Sequence, residues 1–211
     1  MSDASRLDRV VTHGTFSIDG EDFEVDNNIW IVGDDEECLV VDAAHEAQPI
    51  IDAVGGRRVV AVVCTHGHND HINAAAELAD AVDAPIVIHP DDRMLWDVVY
   101  PTRAPDGAIA DGEKFHAGGV ELVALHTPGH SPGGVSLHDA EHTRVFSGDT
   151  LFKGGPGATG RSFSDRDTIV NSIRTRLFAL PPDTVVHTGH GDTTTIGDEA
   201  PSLDEWIARG H

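Results

Sequence analysis

Six consecutive positions, His66-Gly67-His68-Asn69-Asp70-His71, carry three histidines and an aspartate, with only Cys64-Thr65 between them and the apolar run Val59-Val60-Ala61-Val62-Val63. Imidazole nitrogens and carboxylate oxygens are good ligands for zinc, and equally for iron or manganese. His66 and His68 lie two apart on what reads as an extended loop, so both can project to one side. Asp70 and His71 fall at the start of a following helix, displaced enough to serve a second ion. The spacing H-x-H-x-D-H differs from H-E-x-x-H, which sets two histidines on one helical face, and so implies a different zinc architecture. The competing interpretation is a solvated polar turn that happens to be rich in histidine, and the rest of the chain must decide between the two.

Three further turns share this character. Thr127-Pro128-Gly129-His130 follows an apolar segment ending at Leu125, Ser147-Gly148-Asp149-Thr150 follows one ending at Phe146, and Thr188-Gly189-His190-Gly191 follows one ending at Val186. Each presents one His or Asp from a glycine-containing strand end, where a rigid sheet lets side chains converge on a ligand without later ordering of the backbone. Alone, His130 or His190 reads as a structural or surface histidine and Asp149 as a turn aspartate. With the cluster, His66, His68, His71, His130, His190, Asp70 and Asp149 make enough donors for two metal ions. His13, His45, His89, His116, His126, His138, His142, His187 and His211 show no ligand spacing.

The elements that would carry these turns read as follows. Short β-like runs at 14–18, 28–32 and 38–41, with the turn Asp19-Gly20, suggest antiparallel strands. A helix is expected over about 47–54, stopped by Gly55-Gly56, before the buried strand at 59–63. The segment 74–79 has strong helix propensity and 85–88 reads as another strand, giving β-α-β alternation. Strand patterns return at 120–125, 134–137 and 143–146. A helix is expected over about 166–178 from Ile169, Ile173 and Leu177, ended by Pro181-Pro182, and 184–186 is the last strand. Two strand groups, each followed by helices, predict an α+β fold with two mixed sheets flanked by helices.

Composition bounds the function. The 211 residues suit a single domain, 1–211, with a substantial core. Thirty-six acidic against 14 basic residues give a formal charge of −22, a field that repels nucleic acid and anionic membrane surfaces and points to a small-molecule partner. No apolar run approaches the roughly 20 residues of a membrane span, and MSDASRLDRV has no apolar secretion segment, so a cytoplasmic protein is expected. Cys38 and Cys64 lack C-x-x-C spacing and read as buried free thiols.

In this order, H-x-H-x-D-H, TPGH, SGDT and TGHG resemble the metallo-β-lactamase fold superfamily over roughly residues 10 to 200. The resemblance implies a four-layer αβ/βα sandwich with two metal ions, zinc foremost, at one edge of the sheets. It implies one ion on His66, His68 and His130, a second on Asp70, His71 and His190, and Asp149 bridging them. It adds Asp42, in Val40-Val41-Asp42-Ala43, as support for a metal ligand, although an aspartate ending a strand serves equally well as a helix cap.

Two such ions would hold a bridging hydroxide for attack on a carbonyl, with no Ser-His-Asp triad needed. Asp70 could accept a proton as the intermediate collapses. Within the superfamily, GDTLF at 148–152 and TGHGD at 188–192 followed by TTIG at 194–197 look like the short glyoxalase II-like group, which hydrolyses acyl thioesters of small thiols. S-hydroxyacylglutathione is one such substrate. The longer glutathione-using enzymes carry a C-terminal helical domain, whereas about twenty residues follow His190 here, and the arginine-rich, lysine-poor composition fits an actinobacterial source, where mycothiol replaces glutathione, so S-formyl or S-acyl mycothiol is the other expected substrate. Lys153 and Arg161, in the glycine-rich segment after Asp149, are candidates to pair with a substrate carboxylate. Trp96, Tyr100 and Met94 could wall a pocket, though core positions are the simpler reading. Rival readings are a mononuclear iron persulfide dioxygenase, a β-lactamase, and a non-catalytic metal-stabilised binding protein.

Overall fold

The computed structural model describes residues 5–209, so His211 and the first four residues of MSDASRLDRV lie outside the described residues. The chain runs β1 (Arg6–Ile18), β2 (Glu21–Gly33), β3 (Glu37–Val41), α1 (Ala47–Val54), β4 (Arg58–Val63), α2 (Asn69–Ile72), α3 (Ala75–Val82), β5 (Ile86–Ile88), α4 (Arg93–Val99) and β6 (Gly107–Ala108). It continues through β7 (Lys114–Ala117), β8 (Val120–His126), β9 (Val135–Asp139), β10 (Arg144–Gly148), β11 (Leu151–Phe152), β12 (Gly155–Pro156), α5 (Arg166–Ser172), β13 (Val185–Thr188), β14 (Thr194–Thr195), α6 (Ile196–Glu199) and α7 (Leu203–Arg209).

Two six-stranded mixed sheets result, ordered β1-β2-β3-β4-β5-β6 and β14-β13-β10-β9-β8-β7. In the first, β3, β4, β5 and β6 pair in parallel; in the second, β10 and β13 do. Parallel neighbours need covered crossovers, and the alternation of buried residues shows the cover. Along β2, Ile29 and Ile31 join the helices' core with Ile50 of α1, Leu78 of α3 and Trp96 of α4. Trp30 and Val32 face the other way, into a core shared with Leu122, Leu137 and Phe146 of the second sheet. A third core places Ile169 and Trp206 against the outer face of that sheet at Val145 and Val186. Helix, sheet, sheet, helix is therefore the layer order, the α+β sandwich that the residue pattern and the family resemblance predict.

Two elements are longer than the sequence suggests. β1 and β2 pair antiparallel through 13 residues each, from Arg6↔Gly33 to Ile18↔Glu21, so the hairpin projects as an arm past the core. The expected helix over 166–178 is α5 followed by a wider turn at Ile173–Leu177, where the Phe178 N–H reaches the Ile173 carbonyl at 2.8 Å.

Candidate metal centre

The ends of β3, β4, β8, β10 and β13 deliver Asp42, the His66–His71 segment, His130, Asp149 and His190 to one end of the sandwich. His68 occupies the extended position before α2, and Asp70 and His71 sit in that helix's first turn, as the spacing predicts. Ligand atoms of His66, His68 and His130 all lie within 4.8 Å of one another, and so do those of Asp70, His71 and His190 and those of His66, His71 and Asp149. Asp149 faces both sides, with Oδ1 3.3 Å from His71 Nε2 and Oδ2 3.5 Å from His130 Nε2. His68 Nδ1 is 3.0 Å from His130 Nε2, His71 Nε2 is 3.2 Å from His190 Nε2, and His190 Nε2 is 3.3 Å from Asp70 Oδ2.

These spacings suit divalent ions. Two ligands each roughly 2.0–2.1 Å from a tetrahedral ion stand about 3.3 Å apart. Moreover, His66 Nε2, Asp70 Oδ1 and Asp149 Oδ1 are buried without a hydrogen-bond partner, and burying such groups is costly unless something they can ligate compensates. Close packing keeps the cradle tight: a Cβ on Gly189 would fall 2.2 Å from Asp149 Oδ1 and 2.7 Å from His71 Cε1. Gly129, at φ 132°, lies against the start of α5, where a side chain would strike Ile169, and this brings His130 into place.

Outer contacts turn the rings inward. Nδ1–H of His71 donates to Asp42 Oδ2 at 2.8 Å, that of His130 to the Ala158 carbonyl at 2.8 Å, and that of His190 to the Asp26 carbonyl at 2.7 Å. His66 Nδ1 lies 3.1 Å from Thr65 Oγ1, which donates to Asp42 Oδ2 at 2.9 Å. Fixing the proton on Nδ1 leaves the Nε2 lone pair of each of these four rings free for a metal. Asp42 also accepts the Thr65 N–H at 2.7 Å and caps no helix; its backbone sits at φ 56°, a left-handed conformation an aspartate holds only where its surroundings enforce it.

Two residues that the motifs did not disclose complete the arrangement. Asp92 is fully buried and accepts the Gly67 N–H at 2.8 Å, the Ser131 hydroxyl at 2.7 Å and the Gly133 N–H at 2.5 Å. Gly67 separates His66 from His68 and Ser131 follows His130, so one carboxylate ties together the loops of all three residues in the first group. Asn27, on the hairpin arm, donates to Asp70 Oδ2 at 3.1 Å while its own carbonyl is held by His45 Nε2 at 2.8 Å.

Charge at the centre is divided. Burial drives the pKa of His66 well below that of a free imidazole, and burial beside His130 takes His68 down to about 3. Burial also opposes a charge on His71 and His190, but Asp149 and Asp70 outweigh it, holding His71 up and lifting His190 to about 10. Asp149, against the same burial, is kept well below the usual carboxylate range by His190 and His71. The carboxylates thus call for positive charge at the second group, which a proton or a divalent ion satisfies.

Lys153 pairs with Asp192 at 3.3 Å, and Arg161 pairs with Glu21 and lies 5.4 Å above the Phe23 ring; each is already engaged by a carboxylate of the chain. Trp96 is fully buried and Tyr100 donates to the Ile72 carbonyl at 2.7 Å, as core positions do, whereas Met94 is exposed. Cys38 and Cys64 are free and buried. Eight of the nine histidines without ligand spacing lie among the described residues, and none of them joins the centre. His89 and His126 do gather with Asp91, a proximity that spacing does not reveal. Their rings stack within 9° of parallel, so their in-plane lone pairs run side by side and do not converge.

Residues 23–190 match the Metallo-beta-lactamase superfamily. The chain is similar to the hydroxyacylglutathione hydrolase GloC of Haemophilus influenzae, 32% identical over 82% of this chain and 89% of that protein. Among solved structures it is similar to TTHA1623 in a di-iron-bound form, 33% identical with a TM-score of 0.73, covering 83% of this chain and 93% of that one. It is also similar to BLEG-1 B3 metallo-beta-lactamase, 26% identical with a TM-score of 0.77 over 90% and 97% of the two chains.

Proposed function

The chain belongs to the metallo-beta-lactamase superfamily, and from that premise we propose that it is a dinuclear metal-dependent hydrolase cleaving acyl thioesters of a small thiol in the cytoplasm. One observation carries the reading: two three-residue donor groups share Asp149, and buried donor atoms among them have no protein partner. His66, His68 and His130 would hold one ion and Asp70, His71 and His190 the other, with Asp149, whose carboxylate lies against His71, His130 and His190, shared between them. Such ions, zinc foremost and iron or manganese next, supply Lewis acidity toward a carbonyl oxygen and bring the pKa of water near 7.

The chain's residues supply the rest. Asp42 and Thr65 hold the rings of His71 and His66, and Asn27 orients Asp70. Water adds to the thioester carbonyl carbon, the C–S bond breaks, and the bonding electron pair leaves on sulfur. One proton of the water goes to the Asp70 carboxylate and then to solvent, and the other stays on the carboxylic acid that forms. A thiolate departs without a general acid, unlike an amide nitrogen, which must be protonated to leave. Substrate enters where His190 is a quarter exposed, on the open side of the centre.

The likeness to a hydroxyacylglutathione hydrolase supports the thioester, and the di-iron-bound relative supports two ions. The test is metal analysis of the purified protein with hydrolysis assays on S-lactoyl and S-formyl derivatives of glutathione and mycothiol. Two metals per chain with thioester hydrolysis supports the reading, whereas a single iron with sulfite formation from a persulfide overturns it.

A further inference from the structure

Against His68 lies a cavity of about 190 Å³ whose other walls include Ile18 at the hairpin tip, Leu95, Val98 and Val99 of α4, and Phe163. Val98 is 80% exposed and Phe163 58%, although each is a large apolar residue beside a polar centre. Exposed apolar surface gathered at one concavity marks a binding place more often than a packing defect. Phe163 also holds φ 67°, a strained conformation for an aromatic residue. Its loop is fastened to the hairpin by the Ser162 N–H on Asp19 Oδ2 at 3.0 Å and by the Arg161–Glu21 pair. Among the described residues Asp19 is the one acidic side chain in the wall, and it is committed to that contact; no Lys or Arg lines the cavity. A carboxylate-bearing arm would therefore enter without a counter-charge.

We propose that this cavity is an acyl subsite selecting thioesters of apolar, uncharged acyl groups over hydroxyacyl or formyl groups. The inference rests on the thioesterase reading. His68 belongs both to the first donor group and to the cavity wall, so a thioester carbonyl seated at the centre lays one arm along Leu95, Val98 and Phe163. The thiol arm then leaves past the open side at His190. With about 190 Å³ of space open on one side, the cavity has room for a short acyl chain of several carbons.

The experiment uses metal-loaded protein with N-acetylcysteamine thioesters carrying acetyl, butyryl, hexanoyl and lactoyl groups. Each buried methylene is worth about fourfold, so kcat/KM for hexanoyl should exceed that for acetyl and for lactoyl by at least about tenfold. Val98→Asp and Phe163→Asp, both surface changes, should lower the hexanoyl-to-acetyl ratio of kcat/KM by about tenfold or more, with the metal content of the wild type. A non-hydrolysable hexyl thioether should bind these variants correspondingly more weakly by calorimetry. Hydrolysis that is indifferent to chain length, or that favours lactoyl, overturns the subsite alone. Failure to hydrolyse every member of the series overturns the thioesterase reading, and the subsite with it.

Discussion

Replacing Asp92 by alanine strands three buried donors at once, the N–H groups of Gly67 and Gly133 and the Ser131 hydroxyl. Each orphaned donor costs about 1–3 kcal/mol. The variant no longer buries a carboxylate, which offsets part of the loss and leaves a net destabilisation of about 3 kcal/mol. For a chain of this size that lowers the melting temperature of the metal-free protein by about 6–12 °C. The consequence for metal is selective, because the loops released carry His66, His68 and His130, whereas Asp70, His71 and His190 are held by Asn27, Asp42 and Asp26. Affinity for the ion at the first group should fall about 10- to 100-fold, with the second within about threefold. Asp92→Asn, which keeps the shape but turns an amide donor toward one of the three donors, should fall between wild type and Asp92→Ala. Thermal unfolding of the metal-free protein and chelator-competition titrations read both effects. An alanine variant that melts and binds its first ion as the wild type does would refute the clamp.

Asp149→Ala removes the shared carboxylate and should reduce metal content below two per chain and thioester hydrolysis by at least about a hundredfold; wild-type rates would sink the two-ion assignment. Gly189→Ala drives a methyl group into Asp149 and His71 and should cost the second ion, read by elemental analysis, while circular dichroism stays native. Burial raises the thiols of Cys38 and Cys64, the latter well above its ordinary value, so neither should react with a disulfide reagent in the native protein and both should on denaturation. Rapid labelling of the folded protein would count against the cores described above.

The donor set was legible because its members either crowd into six positions or repeat one pattern, an apolar strand ended by a glycine turn with one His or Asp. The layers followed from strands whose alternate residues are both apolar, as in β2. Asp92 was not legible. After His89-Pro90 at the head of α4 it reads as a helix cap, yet its side chain caps nothing there and reaches partners 25 to 41 positions away. Asn27 and Thr65 are hidden for the same reason, being common polar residues whose meaning lies in distant partners. The hairpin arm escaped notice because much of its length is exposed, so cross-strand pairing and not an apolar pattern holds it. The cavity beside His68 depends on that arm and on the 162–163 loop, and no local pattern joins them.

The central claim is two ions serving one hydrolytic site. It is tested most directly by adding zinc in measured portions to metal-free protein and following the rate of thioester hydrolysis. The account predicts a rate that rises until two equivalents per chain are bound and then levels off. A rate complete at one equivalent, or none at any loading, would contradict it.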